Sequence, residues 1–127
     1  MTETTRAARR TVKKSDGLHI ERVFSTEGVH PYDEVTWEKR DVVQTNWKTG
    51  ETVFEQRGVE FPDFWSLNAS TIVTTKYFRG AVGTNARETG LKQLIDRVVT
   101  AYSKAGIDNG YFATPADGQV FEDELRW

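Results

Sequence analysis

The residues best suited to chemistry in this sequence include a short polar run from His30 to Glu34. It places one imidazole and two carboxylates close together. Metal ligands usually converge from more than one segment of a chain, and the only other histidine is His19. The run therefore favours a polar turn over a metal site.

A second group is the loop Gly80-Ala81-Val82-Gly83, which has the GxxG spacing with which KH domains clamp a nucleic-acid backbone. Such a clamp works best with basic central residues, whereas Ala81 and Val82 are apolar. A phosphate-binding loop would also need a following Gly-Lys-Ser or Gly-Lys-Thr, which this sequence lacks. The loop favours a helix cap and turn, and nucleic-acid binding is the alternative.

The remaining polar groups do not form a recognisable catalytic arrangement. The acidic pairs Asp33-Glu34 and Asp123-Glu124 are typical of solvated faces, and no Ser/His/Asp or Cys/His pattern occurs. The sequence contains no cysteine, which excludes disulfides, thiolate nucleophiles and cysteine-bound metal clusters within these 127 residues. The residues alone thus indicate an α+β domain without a visible active site.

Length and charge predict a single domain, residues 18–127, behind a disordered basic tail, residues 1–17. The tail has five basic residues against two acidic ones, and the rest has twelve against seventeen. A solubilising leader is the favoured interpretation of the tail, and transient contact with nucleic acid is the alternative. No apolar run suits a membrane span or a signal peptide, so we expect a cytoplasmic protein.

The strongest structural signal is an apolar stripe near the C-terminal end, which predicts a long helix. Its members recur at helical spacing and would share one face that must be buried. They are Leu91, Leu94, Ile95, Val98, Val99 and Tyr102.

The segment before the helices predicts short strands, first around Leu18–Phe24 and then as a hairpin. With Thr49-Gly50 as a two-residue turn, Thr45 would lie opposite Phe54. This register would place Val43, Trp47 and Phe54 on one face. Gly58 would then end the second strand.

Capping residues predict the bounds of about three helices. Ser66 or Asn68 would begin the first, with Ile72, Val73 and Tyr77 facing inward and Gly80 just past its end. Thr84 or Asn85 would begin the long helix, which Gly106 would end. Thr114-Pro115 would begin the third, whose late acids Glu122, Asp123 and Glu124 oppose the helix dipole and predict fraying.

Most of the chain beyond the tail resembles one protein family in its amino-acid sequence. The matching stretches are GVHPYDEVTWEKRDVVQTNWKTGETVFEQRGVEFPDFWSLNASTIVTTKYFRGAVGT, LKQLIDRVV and GYFATPAD. Together they resemble the N-terminal domain of class II ribonucleotide reductase, the adenosylcobalamin-dependent type. That family reduces ribonucleotides to deoxyribonucleotides for DNA synthesis through a cysteine thiyl radical, in an α/β barrel that follows this domain.

The resemblance implies a non-catalytic role, because the family's catalytic cysteines, asparagine and glutamate lie in the barrel. It implies no catalytic, cofactor-binding or metal residue in this chain, and the isolated chain is expected to be inactive. Adenosylcobalamin, ribonucleotide substrates and nucleotide effectors would be partners of the whole enzyme, and the barrel would be the partner of this domain. The candidate barrel-packing residues are Asn68, Ile72, Lys76, Tyr77, Arg79, Leu91, Leu94, Ile95 and Val98. A stand-alone module that binds nucleic acid through the basic tail and the Gly80–Gly83 loop is the alternative.

Overall fold

The computed structural model describes residues 16–127. In that part of the chain, a two-stranded antiparallel sheet is followed by three α-helices, which confirms the predicted α+β class. The strands are β1 (Trp37–Thr45) and β2 (Thr52–Pro62), and the helices are α1 (Leu67–Lys76), α2 (Leu91–Asp108) and α3 (Pro115–Arg126). A 3-10 helix, Pro31–Glu34, forms at the polar run that begins with His30. The predicted basic tail lies outside the described residues, except for Asp16 and Gly17.

The described residues form two compact units, one of residues 32–98 and one of residues 16–31 together with 99–127. Helix α2 contributes residues to both. No helix within the described range is long and apolar enough to cross a membrane. The domain boundary at residue 18 stays a prediction.

The hairpin forms, but its register differs from the predicted one. Asn46 causes the difference, because its side-chain oxygen accepts hydrogen bonds from the backbone N–H groups of Lys48 (2.8 Å) and Thr49 (3.3 Å). The turn therefore extends from Asn46 to Glu51, and the Asn46 N–H donates to the Glu51 carbonyl. The observed pairs are Thr45 with Thr52, Gln44 with Phe54, Val43 with Glu55 and Val42 with Gln56.

This change of register alters which residues face the core. Val42 is buried, whereas the predicted Val43 and Trp47 are exposed. Of the three residues assigned to the buried face, Phe54 alone packs against the core. A shift of one residue exchanges the two faces of a strand, which explains why a small error in the turn had this effect.

The prediction that Gly58 ends β2 is wrong, because Gly58 forms a bulge within this strand. Its φ is +71°, and the register shifts here, between Arg40 and Val42 of β1. The Asp41 carboxylate accepts a hydrogen bond of 2.9 Å from the Gly58 N–H. A glycine at positive φ allows a strand to take up one extra residue. β2 consequently continues to Pro62 and delivers Phe61 to the core.

The core of residues 32–98 lies between the hairpin, α1 and the start of α2. Phe61 is fully buried and stacks on Phe78 at a ring-centroid distance of 5.7 Å, with Trp65 at 5.6 Å on another side. The buried cluster consists of Val42, Val59, Phe61, Phe78 and Leu91.

Helix α1 begins where one of the two predicted caps lies. Ser66 is the N-cap, and its hydroxyl accepts a hydrogen bond of 3.0 Å from the Ala69 N–H. The buried face was predicted wrongly, because Ser70 and Thr74 are buried, whereas Ile72 and Tyr77 are 41% and 60% exposed. Val73 is half-buried against the core, as predicted.

Gly80 is not the residue just past α1, because the helix ends at Lys76 with Tyr77 as its C-cap. Its φ is +89°, and a Cβ at this position would lie 2.2 Å from the Ala86 carbonyl oxygen. Gly80 is therefore required by the close approach of two loop segments, rather than by a helix end.

The long helix begins and ends later than predicted. It starts at Leu91, not after Thr84 or Asn85, and the Gln93 side chain accepts a hydrogen bond from the Thr89 N–H (2.6 Å) at that end. Gly106 lies inside the helix and is buried. A Cβ on Gly106 would come within 2.7 Å of the Phe112 ring, so this glycine admits an aromatic side chain instead of ending the helix.

In the unit of residues 16–31 and 99–127, Thr114-Pro115 begins α3 as predicted. Thr114 and Asp117 form a capping box, in which each side chain accepts a hydrogen bond from the other residue's N–H. The strand predicted around Leu18 does not form, because Leu18 makes only an isolated parallel bridge with Phe112. The amides that follow it bind side-chain carboxylates of α3 instead of a neighbouring strand.

Candidate contact surface

The structure divides the nine candidate packing residues into two sets. Three lie in the core of residues 32–98, where Leu91 is buried and Leu94 and Ile95 pack beside it. These three side chains are used inside the fold. The other six are exposed: Asn68, Ile72, Lys76, Tyr77, Arg79 and Val98.

Helix α1 carries three of the six exposed candidates, Asn68, Ile72 and Lys76, because its opposite face is fixed to the hairpin. The buried Arg40 of β1 donates hydrogen bonds to the Ser70 hydroxyl (2.7 Å) and to the Asp63 carbonyl (3.0 Å). Thr74, on the same face as Ser70, is completely buried. The face with Asn68 and Ile72 is consequently turned outward, and neither residue is needed for the core.

The loop after α1 is shaped by two charged residues that sequence reasoning did not single out. The Arg87 guanidinium donates to the carbonyls of Phe78 (2.8 Å) and Gly80 (3.1 Å). Glu88 accepts hydrogen bonds from the Arg97 side chain (3.0 Å) and from the Arg79 N–H (2.8 Å). The hydrogen bond from Arg97 lowers the pKa of Glu88. A glutamate near a loop gives no sequence signal of its partner, so only the fold reveals this pairing.

The two glycines of the Gly80–Gly83 loop are thus explained by the conformation of the loop itself. Gly80 and Gly83 have φ of +89° and +85°, and the Ala81 carbonyl between them accepts from the Thr84 N–H and hydroxyl. The Arg87 guanidinium, which could have served a nucleic-acid backbone, is engaged with carbonyls of the protein. This geometry favours a turn over a nucleic-acid clamp, although the glycines do not cap a helix.

Sequence reasoning also missed the role of the acids in α3. The Glu124 carboxylate accepts hydrogen bonds from three consecutive backbone N–H groups, those of Val23 (2.8 Å), Phe24 (3.0 Å) and Ser25 (2.6 Å). The Ser25 hydroxyl also donates to it, and these bonds lower the pKa of Glu124 to about 2. The acid predicted to destabilise the end of α3 therefore fixes the N-terminal segment.

The other two late acids of α3 also have partners. Asp123 pairs with Arg22 at 2.9 Å, and Glu122 accepts from the Ser103 hydroxyl at 2.5 Å and from Arg126 at 3.2 Å. The prediction that α3 frays because its acids oppose the dipole omitted these contacts, of which those with Arg22 and Ser103 come from distant parts of the sequence.

The His, Asp and Glu side chains of the described residues do not gather into a cluster that would hold a metal ion. No group of three or more His, Asp or Glu side chains within residues 16–127 could hold a metal, and His19 pairs with Asp117 at 3.3 Å. A cavity of about 380 Å³ lies between α2 and α3, lined chiefly by Ile107, Phe112 and Pro115 with glycine backbone. Pockets of about 300–1,000 Å³ suit drug-sized ligands, and a corrinoid is larger than that class.

Comparison with known proteins supplies the family. A family model described as class II vitamin B12-dependent ribonucleotide reductase matches residues 39–86 and 80–127. The relatives that match are each named vitamin B12-dependent ribonucleotide reductase. The protein of Streptomyces clavuligerus is 64% identical over 132 residues, which cover 100% of this chain and 14% of that protein.

Two further relatives show how far the similarity extends. The Streptomyces coelicolor protein is 62% identical over 132 residues, with 100% of this chain and 14% of the relative covered. The Rhodopirellula baltica protein is 37% identical over 113 residues, with 87% and 11% covered. The chain therefore spans about 14% of the length of these two Streptomyces relatives. Because the family model matches well over half of the chain, the chain belongs to the class II vitamin B12-dependent ribonucleotide reductase family.

Proposed function

We propose that this chain is the N-terminal, non-catalytic part of a cobalamin-dependent ribonucleotide reductase. The observation that supports this proposal is the match of the family model to residues 39–86 and 80–127, in a chain that spans 14% of its relatives' length. The whole enzyme would reduce ribonucleotides to deoxyribonucleotides in the cytoplasm for DNA synthesis. Nucleotide substrates, nucleotide effectors and adenosylcobalamin would bind outside these residues.

The residue types present in the chain are consistent with a non-catalytic role. Reduction by a thiyl radical needs a cysteine, and none occurs in the 127 residues. No step of the reaction is assigned to the described residues. Their contribution would be to fold and to pack against the catalytic part.

The contact with the catalytic part is assigned to the exposed face of α1 and the residues just after it. This face presents Ile72 and Tyr77 beside the cations Lys76 and Arg79, and Val98 of α2 adds to the exposed apolar set. Exposed apolar side chains grouped with polar ones are typical of surfaces that bind another protein segment. The interior positions Leu91, Leu94 and Ile95 leave this proposal, because they already pack in the core.

An activity assay tests the assignment of function. We expect the purified 127-residue chain to form no deoxynucleotide from ribonucleotide, adenosylcobalamin and a dithiol above a no-protein control. A longer protein that contains this sequence together with the catalytic part should form it under the same conditions. Product from the short chain, or an inactive but folded longer protein, would contradict the proposal.

A pair of substitutions tests the contact surface. In the longer protein, Ile72→Glu should lower the melting temperature of that protein and increase proteolysis near α1. The reason is that a charge would enter the apolar interface between α1 and the catalytic part. In the 127-residue chain the same change should alter the free energy of unfolding by only about 0.5 kcal/mol, as expected for an exposed position. Val82→Glu, at a side chain that is 48% exposed in the loop, is the matched control. Equal effects of both variants in the longer protein would contradict the assignment of α1.

A further inference from the structure

The tip of the hairpin exposes apolar side chains that the fold does not use. We call residues 43–53 the hairpin arm. Trp47 in the arm is 87% exposed, and Val53 and Val43 are 64% and 42% exposed. Large aromatic side chains are normally buried or engaged at an interface, so an indole almost wholly in water needs an explanation outside residues 32–98.

The turn that carries Trp47 is held in one conformation by its own hydrogen bonds. The Gly50 N–H donates to the Asn46 carbonyl (2.7 Å). The Asn46 side-chain oxygen accepts hydrogen bonds from the backbone N–H groups of Lys48 and Thr49. Gly50 supplies the positive φ of +77°. None of these bonds involves the Trp47 side chain, so the turn would form equally well with another residue there. The turn therefore exposes the indole, and the indole does not stabilise the turn.

The neighbouring side chain adds a charge beside the indole. Lys48 Nζ lies 5.1 Å from the centroid of the Trp47 ring, within the range of a cation–π contact. The tip therefore combines a flat apolar surface, an indole N–H donor and a positive charge. A complementary site would be an apolar pocket with a carboxylate at its rim, which could accept from the indole and pair with Lys48.

The exposed area distinguishes between the possible occupants. The three apolar side chains of the arm together expose roughly 400 Å², judged from the area that such side chains bury. Two separate copies of a protein need about 800 Å² per partner for a stable interface. A segment of the same polypeptide needs less, because its effective concentration is already in the millimolar range. The small area thus favours a partner within the same chain.

We propose that the hairpin arm docks through Trp47 into an apolar, acid-rimmed pocket on the remaining part of the same polypeptide. This inference rests on the proposed function, in which these residues are the N-terminal part of a longer enzyme. It adds a second anchor, on the sheet, to the contact assigned to α1. The arm reaches the partner as a preorganised element, so little conformational entropy is lost when it docks.

Hydroxyl-radical oxidation of tryptophan, read by mass spectrometry, tests the docking in the folded longer protein and in the 127-residue chain. Trp47 should fall from 87% exposed to about 15% or less in a desolvated pocket, which would slow its oxidation about sixfold. Trp47→Ala in the longer protein should increase amide exchange across residues 43–53, whereas Glu51→Gln, at an exposed side chain of the same turn, should not. In the 127-residue chain both variants should exchange like the parent.

Each outcome has a distinct meaning. Equal oxidation of Trp47 in both proteins would overturn the docking and leave the proposed function untouched. Dimers of the 127-residue chain in analytical ultracentrifugation that Trp47→Ala abolishes would overturn it in favour of a second copy. Protection of Trp47 in a folded longer protein that makes no deoxynucleotide would instead support the docking and contradict the proposed function.

Discussion

Replacing Arg40 tests whether one buried guanidinium joins the hairpin to α1. Arg40 is 8% exposed, and Arg40→Ala would remove donors from several oxygens in one step. The lost hydrogen bonds go to Ser70 Oγ (2.7 Å), the Asp63 carbonyl (3.0 Å), the carbonyls of Pro62 and Ser66 (both 3.3 Å) and Glu38 Oε1 (2.6 Å).

The expected loss follows from the two best buried bonds. A hydrogen bond from a charged donor contributes about 1.5–3 kcal/mol, so the bonds to Ser70 and Asp63 together contribute about 3–6 kcal/mol. Arg40→Ala also removes the cost of keeping a guanidinium out of water, which offsets part of this sum. We therefore expect Arg40→Ala to lower the free energy of unfolding of residues 32–98 by about 3–4 kcal/mol.

The measurement is native-state amide exchange in a urea series, followed on residues 32–98, because the chain has two compact units that can unfold separately. Arg57→Ala is the matched control in the neighbouring strand. Its side chain is 61% exposed, with Asp41 and Glu55 as partners, and exposed ion pairs contribute about 0–1 kcal/mol. If the two variants lose stability to within about 1 kcal/mol of each other, Arg40 does not join the hairpin to α1.

Three further changes have signs fixed by the structure. Gly50→Val should cost about 1–3 kcal/mol, because a β-branched residue resists the φ of +77° at this turn, and coincident urea melts of variant and parent would contradict it. Gly106→Ala should destabilise by about 1–2 kcal/mol in a urea melt, since overpacking against the Phe112 ring outweighs a gain of about 1 kcal/mol in helix propensity; a stabilised variant would refute the contact. The hydrogen bonds that lower the pKa of Glu124 from 4.5 to about 2 contribute stability that is complete above pH 4.5 and lost as the pH falls towards 2. Protection of the N–H groups that Glu124 holds, measured as amide exchange relative to the unstructured rate at each pH, should therefore fall as the pH is lowered across that window in the parent, and Glu124→Gln should remove the dependence.

Local signals in the sequence predicted the beginnings of helices well when the cap acts on its own helix. Ser66 and Thr114-Pro115 are such cases, because the bonding partner of each lies three residues away. Thr84 and Asn85 failed as caps because the loop from Gly80 to Thr89 is shaped by Arg87, whose partners come from α1 and β2. A capping residue alone does not show whether a distant side chain has already set the course of the backbone.

The hairpin shows the same limit within a few residues. The sequence predicted two paired strands and the positive φ of Gly50, both of which the structure contains. The register depended on Asn46, whose amide can either pair as a strand residue or bind the turn through its side chain. A choice between these two arrangements moves Val43 and Val42 between faces, and no pattern in the segment favours one over the other.

The apolar stripe of α2 was predicted as one face, but the structure uses it in two ways. Leu91 and Val99 are buried, whereas Val98 and Tyr102 are 38% and 64% exposed. Helical spacing identifies residues that share a side of the helix, and it carries no information on how far the neighbouring elements extend along it. The exposed members are consequently the ones free to meet another segment.

The same reasoning separates the candidate surface into core and contact residues. Leu91, Leu94 and Ile95 pack in the core, so we propose the outer face of α1 and the indole at the hairpin tip as the contacts with the catalytic part.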